Sequence, residues 1–286
     1  MIGVMSPSSY IEKDDLNNAV RFVEQLGYKT LIHSQTLSRQ GQSAGTNEEK
    51  LNAFHNLVQN KDVKAIIFST GGNRSLNWVD DIDWNLVKSN PKIMMGFSDI
   101  TPILNLVTAK TGIITYHGPN LRWFIAGNYN ALDTDQCFKT LSSIQLSLEL
   151  NNATLKKDVS GQLIGGNLPN FQYLINELNF ENKVLFLEDW NEEYSRLDRM
   201  LCHLKRSDVF NKINALILGQ FENMLDTGRP YGFDLHDMIA EHVPKNVPVI
   251  FNAPFGHGNR LCTLPIGQTC HLNFDDNCVT LSFDND

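Results

Sequence analysis

Lys92-Ile93-Met94-Met95-Gly96-Phe97-Ser98-Asp99-Ile100-Thr101-Pro102 passes from a short apolar run through a glycine to a serine, then into a helix with proline in its first turn. A buried strand followed at once by a helix belongs to a parallel sheet with crossover helices. The flanking sequence repeats that order. Ile2–Met5 reads as a strand, and Asp14 and Asp15 open a helix whose apolar side is Leu16, Ala19, Val20 and Val23 and which stops at Gly27. Residues 28–33 read as the next strand. Thr46 and Glu49 have capping-box spacing before the helical pattern Leu51, Phe54, Leu57, Val58. That helix leads into the apolar strand Ala65–Phe68, which ends in Ser69-Thr70-Gly71-Gly72-Asn73, and residues 113–116 close the unit.

Residues 125–160 are polar and weakly periodic, which sets the expected junction between a domain at 1–150 and another at 151–286. The second holds an expected glycine turn at Gly165-Gly166, helices at 169–178 and 196–204, and strands at 184–187 and 213–218. It ends in a hairpin of 271–274 with 279–283 around Asp275-Asp276-Asn277. The expected fold class is therefore α/β: an amino-terminal parallel-sheet, Rossmann-like domain and a carboxyl-terminal α/β domain with a β-rich end.

The chain has 286 residues, 42% hydrophobic, enough for a sizeable core. A formal net charge of -8 gives no footprint for nucleic acid, so small-molecule partners are expected. No apolar stretch reaches membrane-spanning length, and the first residues lack the basic leader of a signal peptide. Five cysteines without a C-x-x-C pair argue against both a disulfide framework and a zinc site, and fit a reducing cytoplasm. No metal or other cofactor is expected. Neither G-x-G-x-x-G nor a P-loop lysine is present.

Ser98 stands at a sharp strand-to-helix turn, where a hydroxyl projects above the carboxyl edge of the sheet and the Asp99 N–H can point at an oxyanion. Serine is also a preferred helix cap, so nucleophile and cap both remain open. Gly71-Gly72 ends a neighbouring strand and can present backbone N–H groups to a ligand. A serine nucleophile needs a base: His257, between Gly256 and Gly258, and His117, before Gly118-Pro119, both lie at strand ends. Glu188 ends the apolar run 184–187, a costly place for an unpaired carboxylate. It can orient a histidine or pair with Arg196 or Arg199, and Asp189, Glu192 and Glu193 are alternatives.

Gly96-Phe97-Ser98-Asp99-Ile100-Thr101, Leu185-Phe186-Leu187-Glu188-Asp189 and Gly256-His257-Gly258 with Leu264-Pro265-Ile266-Gly267 together resemble the LD-carboxypeptidase family of serine peptidases. Further family-like stretches are Gly3-Val4-Met5-Ser6-Pro7-Ser8-Ser9, Gly71-Gly72, His117-Gly118-Pro119, Gly165-Gly166-Asn167-Leu168 and Arg196-Leu197-Asp198-Arg199-Met200-Leu201, so the resemblance spans nearly the whole chain. It implies a triad of Ser98 as nucleophile, His257 as base and acid, and Glu188 orienting the histidine, with an oxyanion hole from the N–H groups of Gly72 and Asp99. One branch of that family removes the terminal D-alanine of murein tetrapeptide in the cytoplasm. The other, similar to microcin C self-immunity proteins, cleaves aminoacyl-nucleotide amides. Asn73 and Arg74 depart from the aromatic and glycine common in murein-cutting members. The chain is short for the longer binding loops of the nucleotide branch.

Asn73, Arg74, His117 and Arg260 are the candidate substrate contacts, and Arg74, Arg122 and Arg260 are candidates for a substrate carboxylate. Trp123 and Trp190 read as core residues, or as platforms for a base in the nucleotide branch. The resemblance also makes a homodimer plausible. Against this stand a cysteine-dependent amidotransferase, which lacks its cysteine at the Ser98 turn, and a binding protein without catalysis.

Overall fold

The computed structural model describes residues 1–125, 136–140, 147–150, 153–274 and 278–284. In chain order the first strands and helices are β1 Ile2–Met5, α1 Lys13–Gln25, β2 Thr30–Ile32, α2 Asn47–Gln59, β3 Ala65–Phe68, α3 Trp84–Ser89, β4 Ile93–Gly96, α4 Thr101–Thr111 and β5 Thr115–His117. There follow β6 Ser147–Leu150, β7 Val159–Asn167, α5 Leu168–Phe171, β8 Val184–Trp190, α6 Tyr194–Arg206, α7 Val209–Lys212, β9 Ala215–Glu222, α8 Leu235–His242, β10 Val249–Ile250, β11 Leu264–Ile266, β12 Thr269–Phe274 and β13 Val279–Phe283.

The chain forms two compact units, Met1–Ser142 with Cys262–Gly267, and Ser143–Leu261 with Gln268–Asp286. The first is built on the sheet β11-β5-β4-β3-β1-β2, whose strands β1 to β5 run parallel while β11 lies antiparallel against β5. The second is built on β10-β9-β8-β7-β12-β13-β6, parallel from β10 to β7 and antiparallel beyond. Among the described residues no helix is long and apolar enough to cross a membrane.

In the first unit α1 buries Leu16, Ala19, Val20 and Val23, the stripe its spacing predicts. The capping box of α2 is present: the Glu49 N–H donates to Thr46 Oγ1 at 3.1 Å, and the Thr46 N–H donates to Glu49 Oε2 at 2.6 Å. Its buried stripe is Lys50, Ala53, Phe54, Leu57 and Val58, which adds Lys50 and Ala53 to the expected residues and leaves Leu51 only half-buried. The i, i+3, i+4, i+7, i+8 series starts at the lysine, and an apolar-only reading of the sequence slides off it.

In the second unit Gly165 and Gly166 are not a turn. They lie inside β7 at φ +143° and +141°, and a Cβ at Gly165 would collide with the Phe186 carbonyl oxygen of the adjoining strand. The glycines let two parallel strands approach, the alternative to a turn for glycine in a strand. The helix expected at 169–178 is the single turn α5 followed by a 3-10 turn, Gln172–Leu174, where Asn170 bends its side-chain amide back to Asn167 Oδ1 at 2.7 Å. The strand of residues 28–33 shortens to β2. The hairpin of β12 and β13 forms as expected, and its connecting residues 275–277 lie outside the described residues.

Candidate active site

Parallel strands present their carboxyl ends to one edge, and in the first unit those of β1, β3 and β4 carry Ser6-Pro7-Ser8-Ser9, Ser69-Thr70-Gly71-Gly72 and Phe97-Ser98-Asp99. The Ser9 N–H donates to the Gly71 carbonyl at 3.2 Å, which ties the first two together. Ser98 is held at φ +64°, a conformation costly for a residue with a side chain and one that concentrates at functional turns. It does not cap a helix. The 3-10 turn Ser98–Ile100 is preceded by Phe97, α4 by Ile100, and neither cap position makes a side-chain hydrogen bond.

Space for the Ser98 hydroxyl comes from a missing side chain: a Cβ at Gly71 would sit 3.0 Å from Ser98 Cβ and 3.2 Å from Oγ. Gly72 is exposed at φ +115°, a conformation that glycine adopts freely. Asn120 holds the base of the turn. Its Oδ1 accepts the Phe97 N–H at 3.2 Å and its Nδ2 donates to the Phe97 carbonyl at 3.4 Å. On the other side, Asp99 Oδ2 accepts the Ser8 hydroxyl at 2.6 Å and the Ser75 N–H at 2.9 Å. Burial still drives the Asp99 carboxyl above its ordinary value, against these bonds and the charge of Lys50.

In the second unit β8 delivers Glu188 and Asp189 as consecutive, fully buried carboxyls, with a register irregularity against β9 between Leu187 and Asp189. The loop after β10 folds onto the ends of β8 and β9. The Gln220 N–H donates to the Phe255 carbonyl at 2.8 Å, the Phe255 ring meets Phe186 edge-on at 5.5 Å, and a Cβ at Gly256 would lie 3.2 Å from Glu188 Cβ. His257 thereby reaches Glu188, Nδ1 to Oε2 at 2.7 Å. Burial pulls the imidazole down, but the Glu188 charge and hydrogen bond outweigh it and hold His257 above its ordinary value. Trp190 stacks on the His257 ring at 5.9 Å and 17° while 47% exposed, so it is not a core residue.

Arg196, one of the two arginines considered for Glu188, pairs instead with Glu192 at 3.6 Å and Glu193 at 4.0 Å, while Glu188 meets His257. Asp189 has a different environment: burial and the neighbouring Glu188 charge push its carboxyl up to about 8.

The remaining sequence candidates differ in their surroundings. His117 is fully buried in β5, edge-on to Phe97 at 6.0 Å. Asn73 is exposed and donates to Gln42 Oε1 at 3.2 Å, Arg74 is exposed at φ +81°, and Arg260 is exposed in the second unit. Arg122 pairs through Nε with Asp15 at 3.1 Å, and Trp123 packs edge-on against Phe97 at 5.3 Å. Asn120 and Lys50 escaped the sequence reading. The one available signal for Asn120 was its place directly after His117-Gly118-Pro119. Among the described residues no three His, Cys, Asp or Glu side chains gather as a metal site would require.

Residues 2–118 match the LD-carboxypeptidase N-terminal domain, and residues 160–272 match the LD-carboxypeptidase C-terminal domain. The chain belongs to the LD-carboxypeptidase family. The murein tetrapeptide carboxypeptidase of Pseudomonas aeruginosa is 28% identical over 286 residues, 95% of this chain and 92% of that protein. The microcin C7 self-immunity protein MccF of Escherichia coli is 26% identical over 97% of this chain and 90% of its own length. A solved muramoyltetrapeptide carboxypeptidase from Oxalobacter formigenes superposes with a TM-score of 0.91 at 26% identity, covering 99% of this chain and 98% of that one. These LD-carboxypeptidase relatives share the mixed α/β architecture, and the family is one of carboxypeptidase hydrolases.

Proposed function

We propose that this LD-carboxypeptidase family member is a serine-type, cofactor-free cytoplasmic enzyme that removes the terminal D-alanine of murein tetrapeptide. The observation that carries the reading is the 2.7 Å bond from buried Glu188 to His257 Nδ1. A carboxylate there accepts the Nδ1 proton, fixes the tautomer, and leaves Nε2 as the proton acceptor, the role a triad base performs. The left-handed backbone of Ser98 and the room beside it at Gly71 fit a nucleophile better than a cap.

On this reading His257 takes the Ser98 proton as Oγ attacks the amide carbonyl. The N–H groups of Gly72 and Asp99 stabilise the oxyanion, and each such donor is worth about 3 to 4 kcal/mol. His257 then returns the proton to the leaving D-alanine nitrogen, and water repeats the cycle on the acyl-enzyme. With His117 enclosed in its sheet, contact with the substrate falls to Asn73, Arg74 and Arg260. A second reading is an aminoacyl-nucleotide amide hydrolase. It is supported by the TM-score of 0.87 to MccF in complex with glutamyl sulfamoyl guanosine and by the exposed Trp190 ring, a stacking face for a base.

The test offers both substrates to the parent protein and to Ser98→Ala, with products read by mass spectrometry. The proposal expects D-alanine from murein tetrapeptide with the parent alone. Cleavage only of the aminoacyl-nucleotide amide selects the second reading, and equal D-alanine release by Ser98→Ala contradicts Ser98 as nucleophile.

A further inference from the structure

The hydrogen bond from His257 Nδ1 to Glu188 at 2.7 Å fixes one edge of the imidazole, and the flanking Gly256, at φ +125°, and Gly258 restrain the backbone little. The plane of the ring needs a second contact. Trp190 lies nearly parallel to it, with centroids 5.9 Å apart at 17°, within the range of offset aromatic stacking. The indole is exposed, so the core does not place it; the ends of β8 and β9 do. The Trp190 backbone N–H donates to Asp189 Oδ1 at 2.8 Å, and Trp190 stands opposite Glu222 in the register of the two strands. The Asn191 N–H donates to the Glu222 carbonyl at 3.0 Å, and Asn223 Nδ2 donates to Asn191 Oδ1 at 2.7 Å. Both asparagines are left-handed, at φ +59° and +54°, a conformation their short polar side chains tolerate. The charged groups beside the stacked pair are Glu188 and Asp189 on β8 and Glu222 on β9, whose Oε1 a Cβ at Gly258 would strike. An indole face also attracts a cation within about 6 Å of its centroid, so the same contact favours His257 while it carries a proton.

We infer that Trp190 is a positioning residue: its stacked indole sets the plane of the His257 imidazole, so that Nε2 stays presented while Nδ1 stays on Glu188, and steadies the ring in its protonated state. Trp190 acts through His257 and not on the reacting atoms. Its kinetic consequence rests on the serine-hydrolase reading above, whereas the stack itself does not.

Two measurements separate the stack from the reaction. An imidazolium in contact quenches indole fluorescence far more than a neutral imidazole does, so Trp190 carries its own probe. The emission of the parent minus that of Trp190→Phe isolates this indole from Trp78, Trp84 and Trp123. It should brighten as rising pH takes the proton from His257, and the step should vanish in His257→Gln. With murein tetrapeptide, Trp190→Ala should lower kcat by about three- to tenfold, the span of one aromatic pair, with KM within about twofold. Its acid limb should move to lower pH, because the protonated imidazole loses the indole face. Trp190→Phe still offers a stacking face and should keep kcat within about twofold of the parent. Emission that ignores pH, or that still steps in His257→Gln, overturns the inference. So does Trp190→Ala with parental kcat, and a raised KM at unchanged kcat would assign the indole to substrate binding instead. A parent that shows the step but releases no D-alanine overturns the proposed function and leaves the stack standing. If Trp190→Ala fails to fold, the emission titration of the parent still decides.

Discussion

His257 carries two neighbours that act on it differently. Glu188 accepts its Nδ1 proton and raises its basicity, and Trp190 covers one face of the ring. Glu188→Gln keeps the shape and removes the charge, so the imidazole should lose its upward shift and the acid limb of kcat/KM should move to lower pH. With the tautomer no longer enforced, kcat should fall by roughly 10³- to 10⁴-fold, as carboxylate-to-amide changes in triads do. A pH-rate profile of the variant checks both, and an unmoved acid limb would assign the observed titration to another group. Ser98, Glu188 and His257 entered as candidates because each lies at or beyond a strand end, and only the family resemblance grouped them as a triad. Asn120 and Lys50 did not, because one acts only through backbone groups of Phe97 and the other hides in a helical stripe that reads as apolar.

Strand β8 ends in two buried carboxyls, and only Glu188 is matched by the histidine. Asp189, pushed up to about 8, stays protonated in the folded protein over a range in which the unfolded chain, with an ordinary carboxyl near 4, has lost its proton. The native state binds more protons there, so stability falls as pH rises from about 4 to about 8, by up to about 1.4 kcal/mol per pH unit for one such group. Asp189→Asn should therefore leave Tm nearly unchanged at pH of about 4 and raise it toward pH of about 8, measured by calorimetry across that range. A variant with the parental pH dependence would show that Asp189 ionises freely in the fold. At this scale the sequence spoke clearly where local chemistry decides, as in the α1 stripe and the Thr46/Glu49 cap. It misled where a distant strand decides: Gly165-Gly166 of β7 read as a turn because nothing nearby announces the Phe186 carbonyl that Gly165 must accommodate.

Across the whole molecule, the alternation of strands and helices was enough to give an α/β class with a β-rich end. It could not show that Leu264–Ile266 pairs antiparallel with β5 while residues on either side belong to the second unit. Three residues carry too little periodicity to name their sheet. The central claim is that Ser98 is the nucleophile, and it is tested most directly by intact-protein mass spectrometry of rapidly quenched mixtures with murein tetrapeptide, followed by peptide mapping. The account predicts a transient adduct equal in mass to the acyl group, the substrate without its D-alanine, mapped to Ser98 and absent from Ser98→Ala. D-alanine release with no adduct at any time, and undiminished in Ser98→Ala, would contradict it.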